Sequence, residues 1–314
     1  MKNPKKVKND WNEDRFLWRA VRLMIVLVVL ITFAFGGYYY WDRYVHLGDM
    51  SPAELGLAHI QKVMEENPDD PNARLSLAQY YIENKNYTDA IIQAQNVLNA
   101  YPDDPGALLL LGIAYTLSDQ AQAAIQPLEG FIEQRRKLPD PQMDKVLETS
   151  LFYLGKDYLA LNQANKAIEA FTEALSIDHT DADVMLLLGN AYAQIGNHQS
   201  AVEAYLNSVR FVPNFTEAYQ GLEKSYQALS KADYVLFAQG MEAYSTRNYT
   251  EARLRLEEAA LNLPDFAPLY LGLAMTYEEL SEFDLAKASI QRALELDPLN
   301  FAANSIQSRL QSQN

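Results

Sequence analysis

Small and aromatic residues recur at fixed spacings along most of the chain. In the stretch from Leu188 to Tyr205, LGNAYAQIGNHQSAVEAY, Gly189 is followed three residues later by Tyr192 and twelve residues later by Ala201. The same three residue types occur 34 residues earlier. This pattern predicts a helix hairpin whose small residues lie where the two helices touch. Because one hairpin cannot bury both of its faces, neighbouring hairpins are expected to stack.

Six such repeats occur between residues 70 and 298. The 34-residue period and the order Leu-Gly-x-x-Tyr, alanine, aromatic residue and proline resemble the tetratricopeptide repeat, although the tryptophan of that family is absent from all six. The resemblance implies an all-α fold, an α-solenoid of stacked helix hairpins. The matching residues are Ala78, Tyr81 and Ala90; Gly112, Tyr115 and Ala124; Gly155, Tyr158 and Ala167; Gly189, Tyr192 and Ala201; Gly240, Tyr249 and Ala252; and Ala274, Tyr277 and Ala286.

Two breaks in the period predict a division into two arrays. Gly112 and Gly155 are 43 residues apart, so we expect a lengthened helix and a protruding turn in the added segment. Glu223 and Gly240 are only 17 residues apart, which leaves the predicted helix at 216–229 without an ordinary partner. The predicted domains are a first array over 51–230 that opens with a half-repeat helix at 52–66, and a smaller second array over 231–314 that ends in a capping helix.

An uncharged stretch near the N-terminus predicts a membrane anchor. Leu23 to Tyr40, LMIVLVVLITFAFGGYYY, holds 18 residues, and a helix of that length spans about 27 Å, close to the thickness of a bilayer core. The preceding basic segment, 1–22, carries a net charge of +4, so the positive-inside rule places it in the cytoplasm. We therefore expect a single-pass transmembrane helix at 23–41 within the lipid bilayer of the inner membrane, followed by a periplasmic solenoid. A cleaved signal peptide is the alternative.

Charge and motif content argue against catalysis and nucleic-acid binding. The net charge is −15, and an acidic surface repels the phosphates of nucleic acids. The chain has no cysteine, its four histidines are scattered, and it contains no G-x-S-x-G, P-loop, G-x-G-x-x-G or H-E-x-x-H motif. We expect no enzymatic activity, no metal, no cofactor and no small-molecule substrate.

The resemblance to tetratricopeptide repeats implies that other proteins or peptide segments bind to the concave surface lined by the first helix of each repeat. In the first array, the fifth positions of these helices form a mostly apolar row and the ninth positions a mostly polar row. Such a surface suits an extended or helical segment, with polar side chains bonding its backbone or carboxylates. The candidate residues are Leu75, Leu109, Phe152, Leu186 and Gln220 at the fifth positions, Gln79, Lys156, Asn190 and Lys224 at the ninth, and Phe237 and Met241 in the second array.

Two functional hypotheses follow from the predicted anchor and the repeats. The first is a membrane-anchored scaffold that recruits partner proteins and assists the assembly of an envelope or membrane complex. The second is a permanent structural subunit of one membrane complex, in which Gly36 and Gly37 allow the anchor to pack closely against other transmembrane helices. Purification in mild detergent separates them, because a scaffold leaves the membrane with variable partners and a subunit at one fixed stoichiometry.

Overall fold

The computed structural model describes residues 31–40 and 52–311. Within these ranges all regular secondary structure is helical, which confirms the all-α prediction. The helices are α1 (31–40), α2 (Pro52–Glu66), α3 (Pro71–Glu83), α4 (Tyr87–Ala100), α5 (Pro105–Leu117), α6 (Ala121–Arg136), α7 (Lys145–Ala160), α8 (Ala164–Ile177), α9 (Ala182–Gln194), α10 (His198–Phe211), α11 (Thr216–Ala228), α12 (Ala232–Ser245), α13 (Tyr249–Ala260), α14 (Ala267–Glu279), α15 (Phe283–Leu296) and α16 (Phe301–Gln311).

The N-terminal helices belong to a separate compact unit, which ends at Pro68. A search of the described residues finds no helix that is both long and apolar enough to span a bilayer. The predicted anchor at 23–41 lies largely outside the described residues, and so does the basic segment 1–22. The predicted half-repeat helix is present as α2.

Acidic residues set the start of several first helices. Asp70 and Asp104 are the N-caps of α3 and α5, and each is followed by a proline at the first helical position. The Asp104 carboxylate accepts a hydrogen bond of 2.8 Å from the backbone N–H of Ala107, which would otherwise lack a partner. These aspartates therefore act as helix-start residues.

The small residues of the repeat accommodate large side chains of the second helix. A Cβ atom built on Gly155 would lie 2.5 Å from Cε1 of Phe171, and one built on Gly189 would lie 2.5 Å from Cε1 of Tyr205. Both rings lie sixteen residues after their glycine and are fully buried. The predicted close contact is thus confirmed, and its partner is a ring rather than the alanine twelve residues on.

The insertion between the second and third repeats has the predicted form. Helix α6 extends to Arg136, and a short 3-10 turn, Pro141–Met143, follows it. Nε of Arg135 donates a 2.7 Å hydrogen bond to Asp144, the residue that caps α7. This hydrogen bond joins the two ends of the added segment to each other, while Met143 within it remains largely exposed.

Helices α3 to α11 stack in sequence order and curve toward one side. Besides consecutive helices, alternate helices touch each other at α3 and α5, α5 and α7, α7 and α9, and α9 and α11. The second helices of these repeats approach one another less closely. The first helices therefore converge and line the inner face of the first array, as a tetratricopeptide solenoid requires.

Helix α12 serves as the second helix of one hairpin and the first helix of the next. In the hairpins described above, a glycine of the first helix meets the residue sixteen positions later in the second helix. Between α11 and α12 the two residues with this spacing are Glu223 and Gln239, and the Gln239 amide donates a 2.6 Å hydrogen bond to the Glu223 carboxylate. Toward α13, Gly240 accommodates Leu256 at the same spacing. Both turns contain one left-handed residue, Ser230 (φ 56°) or Arg247 (φ 64°), as the other hairpin turns do.

This sharing moves the inner face to the opposite side of the stack. Beyond α11 the contact between alternate helices joins α12 to α14, so the converging helices change from odd to even numbers. Helix α11 is therefore packed between α10 and α12 rather than left without a partner. At the half-period break, α12 packs against α11 on one side and against α13 on the other. The hydrophobic core therefore continues across residue 230.

Candidate partner-binding surface

The apolar row of the first inner face is only partly covered. Leu75, Leu109, Phe152 and Leu186 are each half-buried, although fully buried leucines and alanines surround them on the same helices. Their position on converging helices gives them neighbours on both sides, yet part of each side chain remains open to solvent. The row is therefore available for contact with a partner, and the fifth member, Gln220, is exposed.

The polar row presents hydrogen-bond donors. Lys156 and Lys224 are exposed and form no ion pair within the part of the chain that the structure describes. Between them, Oδ1 of Asn190 accepts a 2.7 Å hydrogen bond from the Tyr205 hydroxyl. Because the Asn190 carbonyl is occupied, its amide N–H groups remain for a ligand. Three consecutive repeats thus offer donors at the same helical position.

Two other polar candidates are engaged with their own neighbours. Gln79 donates a 3.1 Å hydrogen bond to Glu83 on the same helix, and Gln220 donates a 2.8 Å hydrogen bond to Glu242 on α12. Both side chains are exposed, so a partner can displace these bonds at small cost. Their role in binding stays a prediction.

Phe237 and Met241 do not line an open surface. Their side chains are 0% and 1% exposed, because α10 and α11 cover the start of the second array. The Phe237 ring packs edge-on against Tyr219 of α11, with ring centroids 6.1 Å apart, and against Phe266, at 4.9 Å. Phe237 is therefore a core residue, which corrects the prediction, and Met241 borders only a small cavity between α10 and α14.

Asp157 is a buried carboxyl group beside this surface that the sequence analysis did not single out. It is 2% exposed and accepts a 2.5 Å hydrogen bond from the Thr116 hydroxyl of α5. Burial raises its pKa to about 6, against the smaller opposing effects of the Thr116 hydrogen bond and of Lys156. The sequence signal is available, because Ala114 and Ala191 occupy the equivalent positions of adjacent repeats and are fully buried.

Replacing Asp157 with asparagine is expected to stabilise the protein at pH 7 by about 1–2 kcal/mol, since a buried charge is removed and Thr116 keeps an acceptor. The folded-state pKa lies above the unfolded value of about 3.9, so the folded state binds more protons between about pH 4 and 6. Stability of the parent protein should therefore fall as the pH rises through that window. Urea titrations at pH 4.5 and 7 measure both proteins, and an equal pH dependence of the two would contradict the assignment.

Side chains that bind metal ions are not grouped together in the described ranges. Among residues 31–40 and 52–311, no group of three or more histidine, aspartate or glutamate side chains could hold a metal ion. His198, at the start of α10, and His179, before α9, lie far apart in the chain and in separate repeats.

Comparisons with known protein families support the repeat assignment. A family model described as TPR repeat matches residues 155–196. Two models described as tetratricopeptide repeat match the chain elsewhere, one at residues 53–105 and the other at 182–214 and 267–298. The match at 53–105 includes α2.

Similarity to individual proteins is low and covers about three fifths of the chain. The chain is 24% identical over 188 residues to a peroxisomal targeting signal receptor of Candida albicans, covering 58% of this chain and 31% of the receptor. It is 25% identical over 191 residues to the BBSome complex member BBS4 of Bos taurus, covering 61% and 32%. The chain thus spans about a third of the length of these curated relatives.

A solved structure shares the fold. The crystal structure of YrrB, described as a TPR protein with an unusual peptide-binding site, superposes with a TM-score of 0.51 at 16% identity. The match covers 63% of this chain and 97% of YrrB. At this identity the likeness concerns the solenoid alone.

Proposed function

Because the chain is a tetratricopeptide repeat protein, built as a protein–protein interaction scaffold, we propose that it is tethered to a membrane and holds a segment of a partner protein along its first inner face. The proposal is carried by one observation. A half-buried apolar row lies beside a row of unpaired donors at Lys156, Asn190 and Lys224 on three consecutive repeats.

The chemistry of the two rows suits an amphipathic segment with acidic side chains. The apolar row removes hydrophobic surface of the partner from water, and the donors bond carboxylates or main-chain carbonyls. Elsewhere the surface is acidic, since the chain carries 41 acidic against 26 basic residues, so an acidic segment is repelled from most other positions. Charge thus orients the partner toward the first inner face.

Reversing the two lysine charges is expected to weaken partner binding about tenfold, equivalent to about 1.4 kcal/mol. A photo-crosslinking residue at Leu109 of the full-length chain reports contact within the inner face, and the same residue at exposed Ile92 on α4 reports the opposite face. We expect a defined crosslinked partner from Leu109 only. That crosslink should be reduced by the double substitution Lys156→Glu and Lys224→Glu.

A matched control separates a specific effect from a change in net charge. Lys85, in the turn after α3, and Lys166, on the second helix α8, are also exposed and form no ion pair in the described ranges but lie outside the inner face, so Lys85→Glu with Lys166→Glu changes the charge equally. Equal loss of the crosslink in both double variants would rule out recognition by the donor row.

The membrane tether is proposed from the uncharged stretch at 23–41 and the basic segment before it. With the N-terminus in the cytoplasm, the repeats lie outside, where they assist the assembly of an envelope or membrane complex. Protease added to spheroplasts should digest the repeats. Protection of the repeats until the membrane is lysed would contradict the proposed orientation.

A further inference from the structure

The change of face at α12 creates a second site on the other side of the stack. A cavity of about 150 Å³ lies between α10, α11, α12 and α14, beside the loop that follows α15. Its floor is apolar and nearly closed to solvent, formed by Val209, Tyr219, Met241, Leu271 and Met275. Met241 and Met275 occupy the ninth positions of their repeats, so the cavity lies on the inner face of the second array.

The size and lining of the cavity suit one large apolar side chain. A dry cavity of about 150 Å³ lined by apolar groups accepts a molecule as large as benzene. Methionine side chains adapt to different shapes because they are unbranched and polarisable, so the floor can fit leucine, methionine or phenylalanine. Tyr219 adds no free polar group, since its hydroxyl donates a 2.8 Å hydrogen bond to the Pro213 carbonyl.

The rim of the cavity carries one donor group and one acceptor group. Arg210 of α10 and Asp297 form an ion pair with a long N···O distance of 3.4 Å, and their side chains are 47% and 30% exposed. Among the described residues Arg210 donates no hydrogen bond that meets ordinary geometry, while Asp297 accepts one of 3.3 Å from Asn300. A peptide main chain offers the complementary pair, a carbonyl for Arg210 and an N–H for Asp297.

Exposed apolar side chains flank the ion pair in both segments. Phe211 and Val212 directly follow Arg210, and Leu299 and Phe301 closely follow Asp297, with exposed fractions of 84% and 85% for the last two. Large apolar groups left open beside a cavity are typical of an interaction site. They would contact the residues on either side of the inserted one.

We infer that this cavity binds an extended segment of a second partner polypeptide, taking up one leucine, methionine or phenylalanine side chain while Arg210 and Asp297 bond the main chain beside it. The two inner faces open on opposite sides of α12, so both segments can be held at once. This site is independent of the donor row and of the membrane tether.

The two floor methionines provide the test. The full-length chain, labelled with 13C at the methionine methyl groups and placed in lipid nanodiscs, is titrated with N-acetyl-leucine methylamide, which carries one apolar side chain between two peptide groups. We expect saturable shifts of the Met241 and Met275 signals at millimolar concentration. Buried Met185 and exposed Met143, both in the first array, should not shift. Absence of shifts at Met241 and Met275, or shifts at all four, overturns the inference.

Four comparisons separate the parts of the inference. N-acetyl-glycine methylamide should leave the signals unchanged, and Leu206→Phe, which fills the cavity from α10, should abolish the response with the fold retained. Arg210→Gln should weaken binding at least threefold, because the main-chain carbonyl loses its charged donor. Octanoate serves as the acyl-chain probe. Peptide recognition at this site is overturned if N-acetyl-glycine methylamide or octanoate binds as tightly as N-acetyl-leucine methylamide. It is also overturned if neither substitution changes the binding of N-acetyl-leucine methylamide.

Discussion

Replacing Tyr205 with alanine lowers the free energy of unfolding by about 3–5 kcal/mol. The side chain is 1% exposed, and its ring lies against two glycines, Gly189 of α9 and Gly221 of α11. A Cβ atom on Gly189 would lie 2.5 Å from the ring, and one on Gly221 would lie closer still. Neither glycine has a side chain that could move into the space that the ring leaves. The substitution therefore opens a cavity between two helices that belong to different hairpins.

Urea denaturation followed by circular dichroism measures this loss, and Tyr205→Phe is the matched control. The control keeps the ring and removes only the hydrogen bond to Asn190, which costs about 0.5–1.5 kcal/mol. If alanine and phenylalanine at this position destabilise equally, the hydroxyl rather than the ring stabilises the contact, and the argument from the two glycines is wrong.

The regular part of the solenoid could be predicted from the sequence because each contact repeats with the chain. Gly155 and Gly189 indicated where helices touch, since a residue without a side chain in a helix interior costs helix stability and needs a packing reason. The spacing of 43 residues between Gly112 and Gly155 likewise predicted the longer α6 and the turn after it. In both cases the signal and its structural consequence lie within one or two neighbouring repeats.

The shared helix could not be predicted in the same way, because its contact is made by different chemistry. Glu223 stands where the other repeats have glycine or alanine, and its partner sixteen residues later is Gln239 rather than an apolar or aromatic residue. A hydrogen bond between two polar side chains carries no apolar signal. The half-period therefore suggested an interruption of the stack, whereas one helix packs on both sides.

The change of face at α12 also decides which candidate binding residues lie on the surface and which are buried. Lys156, Asn190 and Lys224 remain on the surface because the three repeats that carry them follow the 34-residue period without interruption, so their positions could be inferred from repeat numbering. Phe237 and Met241 have the corresponding numbers in the second array, but the change of face brings α10 and α11 over them. Position within a repeat predicts exposure only where the neighbouring repeat lies on the expected side.

Replacing Phe237 with alanine is expected to cost about 3–5 kcal/mol and to loosen the helices on both sides of α12. The ring is fully buried and contacts Tyr219 of α11 on one side and Phe266, before α14, on the other. Because a solenoid is stabilised by contacts between neighbours, a lost contact lowers protection mainly in the adjoining hairpins. Native-state hydrogen exchange should therefore show faster exchange in α10 and α11 and also in α13 and α14.

Phe171→Ala is the matched control, because Phe171 is equally buried but lies in α8, within an ordinary hairpin. We expect a similar loss of stability, with faster exchange in α7 to α9 and unchanged exchange from α13 onward. Faster exchange confined to α12 and α13 in the Phe237 variant would show that the two arrays unfold independently. In that case α12 would join the arrays covalently without coupling their stability, and a partner held on one inner face could not stabilise the other.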